Sequence, residues 1–340
     1  MSISGHASHE ASFYEMDGDR VRCTLCPHSC VIAEGKRGLC GVREHRGGKL
    51  YSLIYGLASS MHPDPIEKKP FFHFLPGSTA MSFSSVGCNL SCMHCQNFTI
   101  SRASFDGSEL SRITPEDVVG YARRTRSRSI SWTYNEPTIW HEFTTVASKA
   151  AHEAGLKTSY VTNGFIQEAP LRSLGGLIDA MNIDVKAFRE EFYKKVCGGR
   201  LVPVLRACEL AAEIGMHLEL TYLIIPGYND SEAEIGDFCR WVADSVGHQV
   251  PVHFSAFHPD YKLMDVPGTP ASTMMMAFEL GRKAGLDFVY LGNVPAGDKD
   301  DTLCPRCGHM VVEREGFWVG STDLKGGLCA KCGADLNLIV

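Results

Sequence analysis

Eleven of the fourteen cysteines in this chain fall into three tight groups, and their spacing is where chemistry is most readable. The middle group lies in Gly87-Cys88-Asn89-Leu90-Ser91-Cys92-Met93-His94-Cys95-Gln96-Asn97, a C-x3-C-x2-C pattern. Thiolate is the soft ligand that holds iron–sulfur clusters. Three thiolates hold three corners of a 4Fe–4S cluster and leave one iron open to something that is not protein. A partial zinc site competes with this reading, because structural zinc takes four protein ligands and His94 could be the fourth.

The first group, Cys23, Cys26, Cys30 and Cys40, sits among Pro27, Gly35, Gly38, Gly41 and Gly47-Gly48. A segment so rich in turns has no room for a core of its own and needs a staple. Four thiolates on zinc, preferred by a narrow margin, or on an auxiliary iron–sulfur cluster would provide one. The third group pairs Cys304-Pro305-Arg306-Cys307-Gly308 with Cys329-Ala330-Lys331-Cys332-Gly333. Paired C-x2-C-G knuckles read as a zinc ribbon, with a rubredoxin-like iron site as the alternative. Cys208 and Cys239 lie in amphipathic helical patterns and read as small core residues. Cys197, before Gly198-Gly199, reads as a buried structural thiol ahead of the alternative, a reactive group. Groups spaced in this way belong to metal sites in a reducing compartment rather than to a disulfide framework.

The elements that must position the middle group come next. Ala80-Met81-Ser82-Phe83-Ser84-Ser85-Val86 is strand-like, so the cysteine loop follows a strand's C-terminal end. Strand and helix then alternate over about 215 residues, which implies parallel β/α units. Thr114-Pro115-Glu116-Asp117 opens one helix with a capping residue and a proline at the first helical position. Ser231 and Glu234 open another as a capping box. Polar residues gather where strands end: Asn135 and Glu136, Thr162 and Asn163, Asp184 and Lys186 two apart on one face, Asn229, and His258. The fold expected is α/β, a partial or full (β/α) barrel of six to seven parallel units, with its site at the strand C-termini and small Cys-rich modules at both ends. A doubly wound sheet is the alternative, but a cysteine loop rather than G-x-G-x-x-G follows the first strand. The boundaries expected are a metal-binding module over 1–50, a connector over 51–79, the barrel over 80–300 and a zinc-ribbon-like module over 301–340. Within the connector, four prolines between Met61 and Pro76 forbid a continuous helix. Its Lys68, Lys69 and His73 either reach a substrate near the cysteine loop or belong to a surface strap pinned by aromatic residues. The last segment is also a candidate cover for the barrel mouth.

Net charge is −6, from 33 basic and 39 acidic side chains, so no general nucleic-acid affinity is implied. The basic run Arg123, Arg124, Arg126 and Arg128 ends a helical pattern, where cations complement the dipole. The first fourteen residues have no apolar stretch of signal-peptide length, and no run approaches a membrane span. A soluble, cytoplasmic protein is expected.

The cysteine loop in this position resembles the radical S-adenosylmethionine (SAM) superfamily. The blocks CTLCPHSC, EGKRGLCGV, DPIEKKPFFHFLPGS, GCNLSCMHCQN, TYNEPTIWHEF, VTNGF, NIDVKAF, IIPGYND, FHPDY and GNVPAGDKDDTLCPRCG extend the likeness over nearly the whole chain. They resemble the relatives of pyruvate formate-lyase activating enzyme, and among those the AmmeMemoRadiSam group, encoded beside Memo-type and AMMECR-type proteins. The resemblance implies that Cys88, Cys92 and Cys95 hold a 4Fe–4S cluster whose open iron is chelated by SAM. One-electron reduction, from a donor such as flavodoxin or ferredoxin, would then give a 5′-deoxyadenosyl radical that abstracts hydrogen from a small-molecule or protein substrate. His94 falls where the family places an aromatic residue near the adenine. Asn135 and Glu136 fall where its members meet the SAM amino group. Thr162, Asn163, Asp184, Lys186 and His258 match positions around SAM's carboxylate and ribose. Val161 departs from the acidic residue that the activators use for a monovalent-cation site, so no such site is expected. A glycyl-radical activase and a non-catalytic metal-binding scaffold for the Memo-type and AMMECR-type partners are the alternatives.

Overall fold

The computed structural model describes residues 9–103, 110–295 and 297–340. Eight strands form the principal sheet: β1 (Ser60–Pro65), β2 (Thr79–Ser84), β3 (Ser129–Trp132), β4 (Lys157–Thr162), β5 (Ala180–Asp184), β6 (His217–Ile224), β7 (Val252–Ala256) and β8 (Val289–Gly292). Strands β2 to β8 are parallel neighbours in chain order, and β1 runs antiparallel along β2. β8 and β1 form no ladder with each other, so the barrel is partial, with seven parallel strands. Between successive parallel strands run α1 (Pro115–Arg124), α2 (His141–Glu153), α3 (Glu168–Ser173), α4 (Leu201–Glu213), α5 (Glu232–Trp241) and α6 (Ala271–Lys283).

Side-chain alternation sorts each strand between two environments. In β3, Ile130 and Trp132 face the helices, and the Trp132 indole donates to Ser148 Oγ of α2 at 2.9 Å. In β2, Phe83 meets Tyr121 of α1 edge-on. Burying each such side chain contributes about 1.5–3 kcal/mol. The other face carries small polar residues, and Ser82, Ser131 and Ser159 stand side by side in register across three strands. Thr114 caps α1 in a full capping box with Asp117. At α5 the box is half made. Ser231 accepts from the Glu234 N–H, but the Glu234 carboxylate turns away to accept from Phe188 N and Arg189 Nε.

The aromatic part of the connector is not a surface strap and does not lie at the cysteine loop. Phe71, Phe72, His73, Phe74 and Leu75 are buried at the N-terminal end of the barrel, under the strand beginnings. The N–H groups of Phe72 and His73 donate to the Glu219 carboxylate at 2.9 and 2.8 Å, and that carboxylate also meets His217 and His253. His73 lies 2.8 Å from the Leu336 carbonyl and 2.6 Å from the Tyr290 hydroxyl, which fixes it in the floor, away from any substrate at the mouth. Lys68 is exposed on Asp64, whereas Lys69 is 2% exposed, with Nζ 2.7 Å from Asp64 and over the Tyr134 ring.

The C-terminal segment packs on this same floor rather than over the mouth. Phe72, Phe288 and Tyr290 share one apolar cluster with Cys304, Val311, Cys329, Leu336 and Leu338. Arg314 stacks over Phe72 and donates to its carbonyl at 2.7 Å. The floor has exposed aromatic edges and backbone groups that strand ends alone cannot satisfy, which is what this segment covers. At the other end of the chain, two small antiparallel sheets carry the first cysteine group. Arg43, 1% exposed, ties them to the barrel through a buried ion pair with Glu142 of α2.

Candidate functional site

β2 delivers Cys88, Cys92 and Cys95 to the barrel mouth, and the neighbouring strand ends clamp the loop that carries them. Asn135, after β3, accepts from Ser85 N at 3.0 Å and donates to the Gly87 carbonyl at 3.2 Å. Glu136 is fully buried, and its carboxylate accepts from Thr138 N, Thr162 Oγ1 and Asn163 N at 3.0, 2.6 and 2.8 Å. Asn163 in turn donates to Asn89 Oδ1 at 2.9 Å and approaches Cys88 Sγ at 3.6 Å. Four of the strand-end residues singled out in the sequence thus form one connected frame that ends on the first cysteine. Burial pushes Glu136 above the ordinary carboxylate value, against the bonds it accepts from Asn163, Thr138 and Thr162.

The far side of the loop is held by the segment after β5. Ser91 N donates to the Cys197 carbonyl at 2.7 Å, and Met93 N to the Val196 carbonyl at 3.0 Å. Lys186 pairs with Asp184 at 2.6 Å, as their spacing on one strand face requires. Burial opposes its charge, yet Asp184 and then the Cys92 sulfur hold Lys186 above its ordinary value. Cys92 responds in the other direction. A hydrogen bond from the Cys197 thiol lowers it, against burial, and Lys186 adds to the effect. Cys88 is raised by burial and then by Glu136, and Cys95 by burial and then by Cys92. His94 is buried between these cysteines with Nδ1 unpartnered, and burial followed by Lys186 pulls its imidazole down to about 3. His258 reaches the loop from the end of β7, with Nε2 3.0 Å from Gln96 Nε2. Lys262 N donates to the Met93 carbonyl at 3.0 Å, and Tyr261 stacks on Phe98.

Every residue expected at the mouth is therefore near the loop or in the frame that holds it. Sequence reasoning passed over Asn89, which donates to the Phe165 carbonyl at 2.7 Å and receives Asn163. Cys197, which the sequence leaves between a buried structural thiol and a reactive group, is buried, and its thiol lies against Cys92. Nothing in the spacing of Cys197 could have signalled that contact across more than a hundred residues. Cys208 and Cys239 are buried core residues, as expected.

The three mouth cysteines fit a cluster and not a single ion. Among the described residues, the C-terminal quartet is the one set of three or more Cys, His or carboxylate ligand atoms lying within 4.8 Å of one another. The mouth sulfurs and His94 do not close to the sulfur spacing of about 3.8 Å that 2.3 Å zinc–sulfur bonds impose. The orphaned His94 nitrogen and the Lys186 ammonium leave polar capacity there for a further, partly anionic group. The C-terminal quartet is different: Cys304 and Cys332 sulfurs lie 3.6 Å apart and those of Cys307 and Cys329 3.8 Å apart, a cage for one tetrahedral ion.

No helix among the described residues is long and apolar enough to cross a membrane. A family model described as the Radical SAM superfamily matches residues 82–239. The uncharacterized protein MJ0808 of Methanocaldococcus jannaschii is 44% identical over 334 residues, covering 97% of this chain and 99% of its own length. A probable GTP 3′,8-cyclase of Methanosarcina acetivorans is 28% identical over 155 residues, 43% of this chain and 46% of that protein. SuiB of Streptococcus suis, solved with its precursor peptide SuiA, superposes with a TM-score of 0.50 at 14% identity. The match spans 68% of this chain and 52% of that one and shows a shared fold. A superfamily match that begins on the strand feeding Cys88 and runs through the strand ends that frame it agrees with the geometry: over residues 82–239 this chain carries a domain of the radical SAM superfamily.

Proposed function

We propose that the chain is an enzyme of the AmmeMemoRadiSam group that cleaves SAM reductively at a 4Fe–4S cluster held by Cys88, Cys92 and Cys95. The observation that carries this reading is the clamped loop: three soft ligands at the end of the first parallel strand, spread too widely for one zinc ion. When bound, the cluster and SAM together supply a 5′-deoxyadenosyl radical, which takes a hydrogen atom from the substrate. The protein's own residues orient and exclude. Glu136, Asn135 and Asn163 fix the loop. Lys186, kept charged by Asp184, offers a cation to SAM's carboxylate. His94, kept neutral by burial, offers a flat face beside the adenine, and His258 closes the side opposite the frame. Because Glu136 is already bonded to Thr138, Thr162 and Asn163, its part is to hold the rim rather than to bind the SAM amino group alone.

The substrate is a small molecule or a protein, with flavodoxin or ferredoxin as donor and the Memo-type and AMMECR-type proteins as partners. The relatives' names do not choose between these: some are GTP cyclases, and one, 23% identical over 124 residues, is a benzylsuccinate synthase activating enzyme. Zinc suits the C-terminal quartet, given its sulfur spacing.

The test is 5′-deoxyadenosine formation by anaerobically reconstituted protein with reductant and SAM. Cys92→Ala abolishes the product. Cys197→Ala retains both cluster and product, because Cys197 supports the loop without ligating iron. Loss of the cluster in Cys197→Ala would mean that a fourth protein sulfur fills the open corner, and the SAM reading would fail.

A further inference from the structure

The first cysteine group does not look like the third, and the difference lies in where the sulfurs stand. We propose that Cys23, Cys26, Cys30 and Cys40 bind a second iron–sulfur cluster of the 4Fe–4S type, seated against the loop that carries Cys88, rather than a zinc ion. This goes beyond the SAM reaction and does not depend on it.

Sulfur spacing is the primary observation. Zinc at about 2.3 Å from each thiolate holds its sulfurs about 3.8 Å apart. The chain builds that cage at its C-terminus, with sulfur separations of 3.6 and 3.8 Å. Among the described residues no three of the N-terminal sulfurs lie within 4.8 Å of one another. They line one recess instead. A cubane puts four irons and four sulfides between its thiolates and so requires the wider spacing.

The wall of the recess is a second and independent observation. Leu25, Ile32, Leu39 and Ile139 make it largely apolar. Besides His28 and Asn89, the polar residue lining it is Arg43, 1% exposed. Its Nη2 is on Glu142, its Nη1 donates to the Ser12 carbonyl at 2.9 Å and lies 3.9 Å from Cys23 Sγ, and its Nε has no partner. A buried guanidinium nitrogen left unbonded is costly unless an acceptor meets it. An anionic metal–thiolate centre supplies such an acceptor, and the sulfur spacing selects the cluster over zinc as that centre.

The recess also touches the mouth loop. Asn89 contributes to its lining, and His28 Nε2 lies 2.7 Å from the Asn89 carbonyl. A Cβ on Gly87 would come 2.7 Å from the Cys40 carbonyl oxygen, so the two cysteine loops meet backbone to backbone. The narrow preference for zinc that spacing along the sequence allowed is thereby reversed.

The experiment is iron, sulfide and zinc analysis, with Mössbauer spectroscopy, on full-length protein reconstituted anaerobically. Wild type is expected to hold about eight irons and eight sulfides with about one zinc per chain. The variant Cys88→Ala/Cys92→Ala/Cys95→Ala keeps about four irons and four sulfides, still in cluster form. Cys26→Ala/Cys40→Ala keeps one cluster and loses the other. About two zincs and about four irons per wild-type chain would overturn the proposal while leaving the SAM cluster in place. That wild-type count decides the matter even if a variant fails to fold.

Discussion

The seam between the two cysteine loops can be opened by one methyl group. Gly87 has a φ of +87°, and a Cβ there would lie 2.7 Å from the Cys40 carbonyl oxygen, 3.0 Å from Val42 Cγ1 and 3.1 Å from Ile139 Cδ1. Gly87→Ala therefore carries two costs. Holding a β-carbon in the left-handed region costs about 1–2 kcal/mol. Forcing it against a backbone oxygen that cannot swing aside costs about 1–3 kcal/mol more. Gly155 separates the two terms: its φ is +78°, but nothing lies within 4 Å of its Cβ position. Gly155→Ala meets only the first cost, and the loss of unfolded-chain freedom is common to both variants. Gly87→Ala should thus be less stable than Gly155→Ala by about 1–3 kcal/mol, a large share of a typical total of 5–15 kcal/mol. Urea unfolding of anaerobically reconstituted protein reads the difference, and iron content should fall only in Gly87→Ala. Equal stability and equal iron in the two variants would refute the contact between the loops, and with it the account of how the N-terminal module is seated.

Two further outcomes follow from the same structure. Burial holds His73 near 3 and His141 near 4, below an unfolded value of about 6.5. A folded value below the unfolded one stabilises above about pH 6.5 and is lost as pH falls toward the folded value, by about 2 kcal/mol per histidine at pH 5. Urea midpoints should drop between pH 7 and pH 5, less steeply in His73→Asn and His141→Gln, and an unchanged midpoint would contradict the burial. At the C-terminus, Cys304→Ser/Cys332→Ser should release the segment from Phe72 and Tyr290, raise protease cleavage after residue 300 and remove about one zinc per chain. Wild-type resistance to protease in that variant would show that the floor is held without the metal.

The parallel β/α order was readable because alternation and caps are local: Thr114, Pro115 and Asp117 sit within one turn of each other. The mouth cysteines were readable because ligand spacing within one loop is itself local. The connector misled for a physical reason. Phe71 to Leu75 is aromatic and proline-flanked, which suits a strap over the surface, but the acceptor that captures its N–H groups is Glu219, about 146 residues away. The same holds for Glu234. Its place at the third helical position suggests a completed capping box, but a more demanding partner, Arg189, takes the carboxylate. Sequence spacing cannot rank local against distant partners for one acidic group.

The strand-end polar residues illustrate the distinction most relevant to function. Asn135, Glu136, Thr162 and Asn163 stand where a ligand at the mouth would touch them, and that position drew notice in the sequence. Once folded, their hydrogen bonds are directed mainly at each other and at the loop, from Ser85 and Gly87 through Asn163 to Cys88. A loop that offers three thiolates to a cluster has little rigidity of its own, and a ligand position that wanders by an ångström weakens binding steeply. Buried amide and carboxylate groups are costly unless fully bonded. A closed network of them therefore gives the loop one geometry, which packing of Val86 and Leu90 alone would leave free to rotate. Polar residues at these strand ends are first a rigid frame for the sulfurs, and their reach toward a bound ligand depends on that frame being in place.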